Sequence, residues 1–427
     1  MATTAVHATL PRLLTGLSSG NLAGLERHQA VHGPLPGRRE LTASQIIDLV
    51  EQSDLRGRGG AAFPTARKLR AVKATRRGPV VVANGCESEP LSAKDALLLR
   101  ELPHLVLDGA ALAARAVGAK RVIVALKHSA VAEHDALERA IAQRRNTIAD
   151  EVDFVLFAAA EGFLSGQETA LVAQINGGPA RPAFIPPRVT DRGVEARPSL
   201  VQNVETLANI ALIARHGVDW YRSIGTEDEP GALLITLRGA VGVPGVYEVA
   251  YGTPLPDVLA VAHGKQADIA GFLVGGYFGS WLAPDLARRI ELSHRSLGQH
   301  GARLGCGVVV ALPTNSCPVA ETVRIAAYLA AQSAKQCGPC VHGTAAIAAA
   351  LVSIEQGSPS RLVFADLRRW TLELPGRGAC HHPNGVAHFV STALQTFAAQ
   401  FDDHARHGPC DACATSATLD AAASITQ

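Results

Sequence analysis

The sequence predicts a multidomain protein in three parts: an α/β domain, a small mixed β domain, and a helical domain near the C-terminus. Three textures predict it. From 41 to 228 helical patterns alternate with short apolar runs, and from 229 to 314 short strands are separated by Gly and Pro turns. From 315 to 404 helical stretches follow one another with short connections. A chain of 427 residues exceeds one ordinary core, so such a division is expected.

In the first part GPVVVAN (78–84), KRVIVALK (120–127) and VDFVLFAA (152–159) read as buried strands, each entered after a helical or loop segment such as 95–117. That alternation predicts a largely parallel sheet. In the second part ALLITLRGAV, GVYEVAYGT and CGVVVALP read as strands, with one helix near 254–262. In the third, helices are expected over 319–334, 344–356, 360–373 and 385–403, and their short connections predict an up-down-up-down four-helix bundle. Residues 1–40 have little periodicity and many Gly, Pro and Arg, and are read as an extended arm. Residues 405–427 are read as a tail.

A formal net charge of +2 creates no broad field for nucleic acid or anionic lipid. No apolar run approaches the ~20 residues that span a bilayer, and the first residues lack a signal-peptide core. The expected location is cytoplasmic. Seven of the eight cysteines, all but Cys86, lie beyond residue 300. In a reducing compartment such clustering favours metal ligation or redox chemistry over structural disulfides.

Two local patterns carry chemistry. Arg56-Gly-Arg-Gly-Gly-Ala-Ala-Phe-Pro-Thr65 places glycines at 57, 59 and 60, so that backbone N–H groups can turn together toward an anion, with Arg58 and Lys68 adding positive charge. A tight turn is the bland alternative. Second, Cys337-Gly-Pro-Cys340 joins the first two expected helices and Cys380 joins the last two. In an up-down-up-down bundle those loops share one end, so three thiols converge as an iron–sulfur cluster requires. A dithiol pair is the alternative reading of CGPC. The stretch His404-x-x-His407-x-x-Cys410-x-x-Cys413 offers four ligands suited to zinc or iron, or is a tail with a fortuitous CxxC. The expected last helix carries the chain about 28 Å away, and residues 405–413 span about 30 Å only if fully extended, so the tail is not expected to complete the cluster.

LRGRGGAAFPTARKL, Asn84-Gly-Cys-Glu-Ser-Glu-Pro90 with Lys94-Asp95, Phe163-Leu-Ser-Gly-Gln-Glu-Thr-Ala-Leu171 and Ser199-Leu-Val-Gln-Asn-Val-Glu-Thr-Leu-Ala-Asn209 occur in this order. Together they resemble the NADH-binding flavoprotein subunit of respiratory complex I and the related flavoprotein subunits of formate dehydrogenases and hydrogenases. The resemblance implies an α/β FMN-binding domain, a ubiquitin-like β-grasp domain with PGVYEVAYGT as its marker, and a four-helix iron–sulfur domain. It implies FMN against Gly57, Arg58, Gly59 and Gly60, with Lys68, Asn84, Glu87, Gly166, Glu168, Asn203 and Thr206 around it, and the nicotinamide-contacting glutamate at Glu89. The flavin itself is the catalytic group. Gln332-Ser-Ala-Lys-Gln-Cys-Gly-Pro-Cys-Val-His-Gly343 is similar to the family's cluster motif, and Cys380 falls at its distant fourth cysteine. The implied cluster is 4Fe–4S, the donor NADH, and the acceptor another redox subunit or a ferredoxin-like protein.

The sequence also departs from that pattern. The family's first cluster cysteine is Ala334, leaving the fourth ligand open among His342, His381 and His382. Glycines of the loop motif are replaced by Ala62 and Ala66, a Trp by Leu69, an Asp by Cys86, and a Glu–Glu pair reads Gln167-Glu168. Ile185 and Arg188 stand where the family has a lysine and an aromatic on the adenosine side of NADH, which weakens the expectation of NADH use. A buried, inert Cys86 is expected over a redox-active one. A homologue without NADH activity, acting as relay or scaffold, and a flavin-dependent dithiol reductase are the alternative functions.

Overall fold

The computed structural model describes residues 10–419 other than 18, 19, 21, 76, 146–151, 266, 267, 415 and 417. The first nine residues of the expected arm and the last eight of the tail lie outside the described residues. The chain divides into two compact units: residues through 88 with 93–235 and 246–253, and residues 89–92 with 236–245 and 254–427.

The first unit contains α1 (Leu25–His32), α2 (Ala43–Gln52), α3 (Thr65–Lys73), β1 (Val80–Asn84), α4 (Lys94–Glu101) and α5 (Pro103–Val117). It continues with β2 (Arg121–Lys127), α6 (Val131–Gln143), β3 (Asp153–Ala159), α7 (Glu168–Ile175), β4 (Ser199–Asn203) and α8 (Val204–Arg222), the last interrupted at Gly217. The helix expected over 95–117 is two helices. Leu102 adopts φ −130°, ψ 39°, outside the helical region that the following proline disfavours, and Pro103 then opens α5.

The four strands form an all-parallel sheet in the order β3-β2-β1-β4. Alternate residues feed two apolar layers, as the period of two requires. Val81, Ala83, Val122, Val124 and Leu200 join one layer, and Val80, Val82, Ile123, Ala125 and Val201 join the other. Burial on both faces explains why β1 and β2 read as unbroken apolar runs; β3, also expected to be buried, is the edge strand and is exposed or half-buried until Ala159. Behind the first layer α5 packs against α8 at Gly109, where a Cβ would fall 1.7 Å from the Leu207 carbonyl oxygen.

Residues 10–40 are not an extended arm. Leu13, Leu14 and Leu22 are buried in the core of this unit, and α1 packs on it. The buried Glu248 carboxylate accepts from the backbone N–H groups of Arg12 (2.8 Å), Leu13 (2.9 Å) and Leu14 (3.1 Å). Asp108 on α5 meets His28 Nε2 at 2.8 Å, Arg144 at 2.7 Å, and Arg215. Burial raises that carboxyl, but the His28 hydrogen bond and the two guanidinium groups outweigh it and hold it below its ordinary value. Such long-range polar anchors leave no periodic trace in sequence.

β5 (Ala232–Gly239) runs from the first unit into the second, and β6 (Gly245–Ala250) supplies Glu248 to the first. The second unit then holds α9 (Leu255–Val261), β7 (Ile269–Val274), β8 (Ser280–Leu282), α10 (Pro284–Ala287), α11 (His294–Gln299) and β9 (Val308–Pro313). β9 lies between β5, its parallel neighbour, and β7, which is antiparallel, with β8 at the edge. β7 and β8 carry no clear sequence signal. Gly271 interrupts β7 at a register shift, and β8 is only three residues long.

The remaining helices are α12 (Pro318–Ala331), a π-helical turn (Pro339–Thr344), α13 (Ala345–Glu355), α14 (Val363–Glu373), α15 (His382–Thr396) and α16 (Ala398–His407). The fourth expected helix is therefore two. Phe397 breaks it at φ −117°, ψ 33° and buries its ring edge-on against Trp281, 5.1 Å between centroids. Among the described residues no helix is long and apolar enough to cross a membrane.

Candidate cofactor sites

The chain winds from β1 outward through β2 and β3, then returns to place β4 on the other flank of β1. In open α/β sheets such a reversal leaves a crevice beyond the carboxyl ends of the two strands, where ligands bind. Asn84 and Asn203 are register partners at those two ends. Asn84 Nδ2 donates to the Gly166 carbonyl (2.8 Å), and its Oδ1 accepts from the Cys86 N–H (3.2 Å). Asn203 Oδ1 caps α8 by accepting from the Glu205 N–H (3.0 Å), and its Nδ2 donates to Asp95 (2.6 Å). Both amides are held by protein partners before any ligand arrives.

The glycine loop reaches the same edge. Its neck is closed by Gly57 N–H to Phe63 O and Thr65 N–H to Leu55 O, both 2.9 Å. The Arg58 N–H donates to Thr206 Oγ1 at the start of α8 (2.9 Å). A Cβ on Gly59 would meet Asn203 Cβ at 3.5 Å, with Gly59 and Ala61 exposed. Gly60 has φ +101° and Ala62 φ +49°, so Ala62 keeps a left-handed conformation that glycine would adopt more easily. Lys68 Nζ bonds Glu168 Oε1 (2.7 Å) and the Val201 carbonyl (2.9 Å). An exposed glycine loop with one lysine and two fixed asparagine amides fits a phosphate-bearing flavin.

Two residues expected around the ligand do other work. The Arg58 guanidinium is buried: it donates to Tyr221 Oη and the Ala232 carbonyl, both 2.9 Å, and lies 4.6 Å from the Tyr251 ring centre. It therefore adds no charge to the loop, contrary to expectation, because an arginine beside a glycine turn can bury its long stem as readily as expose it. Glu87 caps α4, accepting from the N–H groups of Asp95 (3.1 Å) and Ala96 (3.0 Å). Gly166 sits where a Cβ would come within 2.5 Å of the Cys86 carbonyl. Glu89 belongs to the second unit, where its carboxylate accepts from the Tyr277 N–H (2.9 Å).

Sequence reasoning passed over the buried Lys94, whose Nζ joins Asp95 (2.7 Å) to Glu205 (2.9 Å). Burial opposes its charge, but Asp95, Glu205 and Glu87 together raise its pKa above the ordinary lysine value. Charged pairs opening two apolar helices, Lys94-Asp95 and Glu205, were the available signal.

In the second unit Cys337 and Cys340 flank the turn that enters the π-helix, closed by Cys340 N–H to Cys337 O (3.0 Å). Burial pushes the Cys340 thiol up to about 12, with Cys337 and Cys380 adding to the rise. Cys380 is likewise raised by burial, partly offset by the His382 N–H that donates to it. Cys340 and Cys380, two thiols whose burial disfavours ionisation, suit a group that brings compensating positive charge, as an iron–sulfur core does. Of the imidazoles considered for a fourth ligand, His382 is buried with Nε2 on the Leu329 carbonyl (2.8 Å), while His342 and His381 are exposed.

Residues 50–212 match the family described as the Nuo51 FMN-binding domain, and residues 320–404 match the NADH-ubiquinone oxidoreductase-F iron-sulfur binding region. The second of the F subunits of NADH-quinone oxidoreductase in Rhizobium meliloti is 30% identical over 384 residues, 87% of this chain and 91% of the relative. The chain belongs to the family of NADH-quinone oxidoreductase F subunits. The Escherichia coli F subunit is 28% identical over 395 residues, 88% of this chain and 89% of the relative. A chain of the NAD+-reducing NiFe-hydrogenase in its air-oxidised state superimposes with a TM-score of 0.84 at 29% identity, covering 98% of this chain and 70% of that one.

This member of the family is thus a flavin- and iron–sulfur-dependent oxidoreductase of the NADH dehydrogenase type, with FMN and a 4Fe–4S cluster as cofactors. The first match spans the glycine loop, Asn84, Asn203 and Thr206, and the second spans Cys337, Cys340 and Cys380. The tail cysteines fall outside both. There the expected quartet of His404, His407, Cys410 and Cys413 is corrected: His407 points to Asp403 (2.9 Å), and Cys317 takes its place in a tight group with the other three. Cys317 lies far away in sequence, so spacing gave no hint of it.

Proposed function

We propose that FMN occupies the crevice beyond β1 and β4, with its phosphate on the Gly57–Gly60 loop and Lys68. Asn84, Gly166, Glu168, Asn203 and Thr206 line it, while Arg58 and Glu87 support the loop and α4 from behind. Glu89 holds the family's nicotinamide-contacting position. The cluster is held by Cys337, Cys340 and Cys380, with a fourth ligand that is not cysteine. FMN supplies a two-electron acceptor that returns electrons singly, and the protein positions it. Electrons then leave through the cluster to another redox subunit or a ferredoxin-like protein in the cytoplasm. NADH is the donor, although Ile185 and Arg188 weaken its adenosine side.

We further read the β5–β9 sheet with α9 as the β-grasp domain, and α12 to α16 as the four-helix iron–sulfur domain with its last helix broken. A dithiol reductase is disfavoured by the placement of CGPC, which leads into a π-helical turn between two helices and not from a strand into a helix within a small α/β domain.

The register pairing of Asn84 with Asn203 beside the glycine loop carries this reading. Anaerobic absorbance tests it: purified protein shows flavin absorbance that NADH bleaches, and Asn203→Leu loses most flavin while keeping its iron. Protein refolded with excess FMN that shows no flavin band overturns it. In the same titration, Ile185→Lys with Arg188→Phe tightens NADH several-fold, for about 1 kcal/mol; unchanged affinity removes the adenosine-side account.

A further inference from the structure

Cys317 is the N-cap residue of α12, His404 lies in the last turn of α16, and Cys410 and Cys413 flank the short turn that follows. Their ligand atoms all lie within 4.8 Å of one another. Cys317 Sγ is 3.4 Å from His404 Nε2, that nitrogen is 3.3 Å from Cys413 Sγ, and the Cys410 and Cys413 sulfurs are 3.6 Å apart. We infer that these four side chains form a mononuclear zinc site that fastens the C-terminal segment to the start of α12.

The spacing identifies one ion, not a cluster. Zinc at about 2.3 Å from sulfur and about 2.0 Å from nitrogen, in a tetrahedron, sets sulfur–sulfur edges near ~3.8 Å and sulfur–nitrogen edges near ~3.5 Å. The three distances follow those edges. Thiolates on separate irons of a cuboidal cluster must stand further apart. Three cysteines and one histidine form a recognised structural zinc set, closed to substrate and inert to redox change.

The surroundings orient the donors. His404 Nδ1 lies 2.8 Å from the Gln400 carbonyl, which fixes Nδ1 as the donor and leaves the Nε2 lone pair facing the sulfurs. Cys317 Sγ accepts from the Ala320 N–H (3.4 Å), which fixes the sulfur at the start of α12. Beyond Cys413 the Cys317 N–H donates to Ser416 Oγ (2.6 Å), Arg324 donates to the Ser416 carbonyl, and Glu321 accepts from Thr418 (2.8 Å) and Leu419 (3.2 Å). Leu419 is buried, and its carbonyl accepts from Tyr277 Oη (2.6 Å). A disulfide between Cys410 and Cys413 is the competing state, but it would draw the sulfurs to about 2.05 Å and leave Cys317 and His404 facing each other with no metal.

The site is separate from the cluster cysteines. They lie beyond the opposite end of α12, whose 14 residues rise about 21 Å. The role is therefore structural, holding the tail in place without joining the electron path.

Metal analysis of the intact holoprotein, grown with zinc and purified without chelator, tests the inference. About one zinc per chain is expected beside the cluster iron. Cys410→Ser with Cys413→Ser, and separately His404→Ala, should bring zinc to near none with iron, sulfide and FMN unchanged, whereas His407→Ala should keep it. Cobalt-substituted protein should show the visible bands of a tetrahedral thiolate site. If the double variant does not fold, mercurial titration of the wild type still decides, releasing the zinc as the thiols react. Wild type without zinc, iron in its place, a Cys410–Cys413 disulfide found by mass spectrometry, or zinc indifferent to the double variant overturns the inference.

Discussion

The second unit contains two CxxC pairs with the same spacing, and their surroundings make them different. Cys337 and Cys340 neighbour Cys380, and the three do not form a tight set among the described residues. Cys413 meets Cys410 at 3.6 Å and the oriented His404 imidazole at 3.3 Å, and that imidazole meets the helix-capping Cys317 thiol at 3.4 Å. The first arrangement leaves room for a core of several irons, and the second closes around one ion. A CxxC spacing therefore says that two sulfurs point the same way. What lies on the remaining sides decides the cofactor.

The strongest test of this contrast is Cys340→Ser. Cys340 is the most buried of the three cluster thiols, so its loss should remove most iron and acid-labile sulfide. Flavin content should stay, because the glycine loop and the paired asparagines belong to the first unit. Zinc content should stay too, because Cys340 is no ligand of the tail group. Iron assay, sulfide assay and zinc analysis on one preparation check all three. Iron that survives this change but disappears with Cys410 and Cys413 would reverse the two assignments.

The same contrast shows where sequence was informative. The central strands β1 and β2 were legible because burial on both faces turns them into apolar runs, and the glycine loop because few other residues tolerate its backbone, whereas β3 read as buried and is largely exposed or half-buried. The break at Leu102 had a signal in Pro103 that the helical pattern overrode, while the break at Phe397 had none, since it rests on a single residue within an otherwise helical pattern. Neither was the docking of residues 10–40, which depends on Glu248 more than 230 positions away. Arg58 and Glu87 were found as part of the site by motif, but their side chains stabilise protein groups, and a motif does not reveal which way a side chain turns. Lys94 was invisible as a buried charge until its two carboxylate partners were seen.

The smallest expected effect concerns Cys86, which belongs to neither of the two cysteine groups among the described residues. Cys86 follows β1 in the first unit, and its thiol is pushed up to about 12, chiefly by burial, with Lys127 pulling the other way. At neutral pH it is protonated and inert, so Cys86→Ala should leave flavin, iron and zinc contents as they were. The alkaline limb is where it should register. A thiol that ionises near 9 in the unfolded chain and near 12 in the fold makes the unfolded chain lose its proton first. Its contribution is fully present below pH 9 and is lost as pH rises toward 12, by at most about 1.4 kcal/mol per pH unit. Denaturant unfolding of the wild type and Cys86→Ala at pH 7 and pH 10 measures this. The stability difference between them should shift in the variant's favour at the higher pH. Curves that keep the same separation at both values would mean that Cys86 ionises as readily in the fold as in the unfolded chain, and a shift in the wild type's favour would mean that it ionises more readily. Either outcome would make Cys86 an accessible thiol, and the contrast between the two metal-binding cysteine groups and an inert Cys86 would fail.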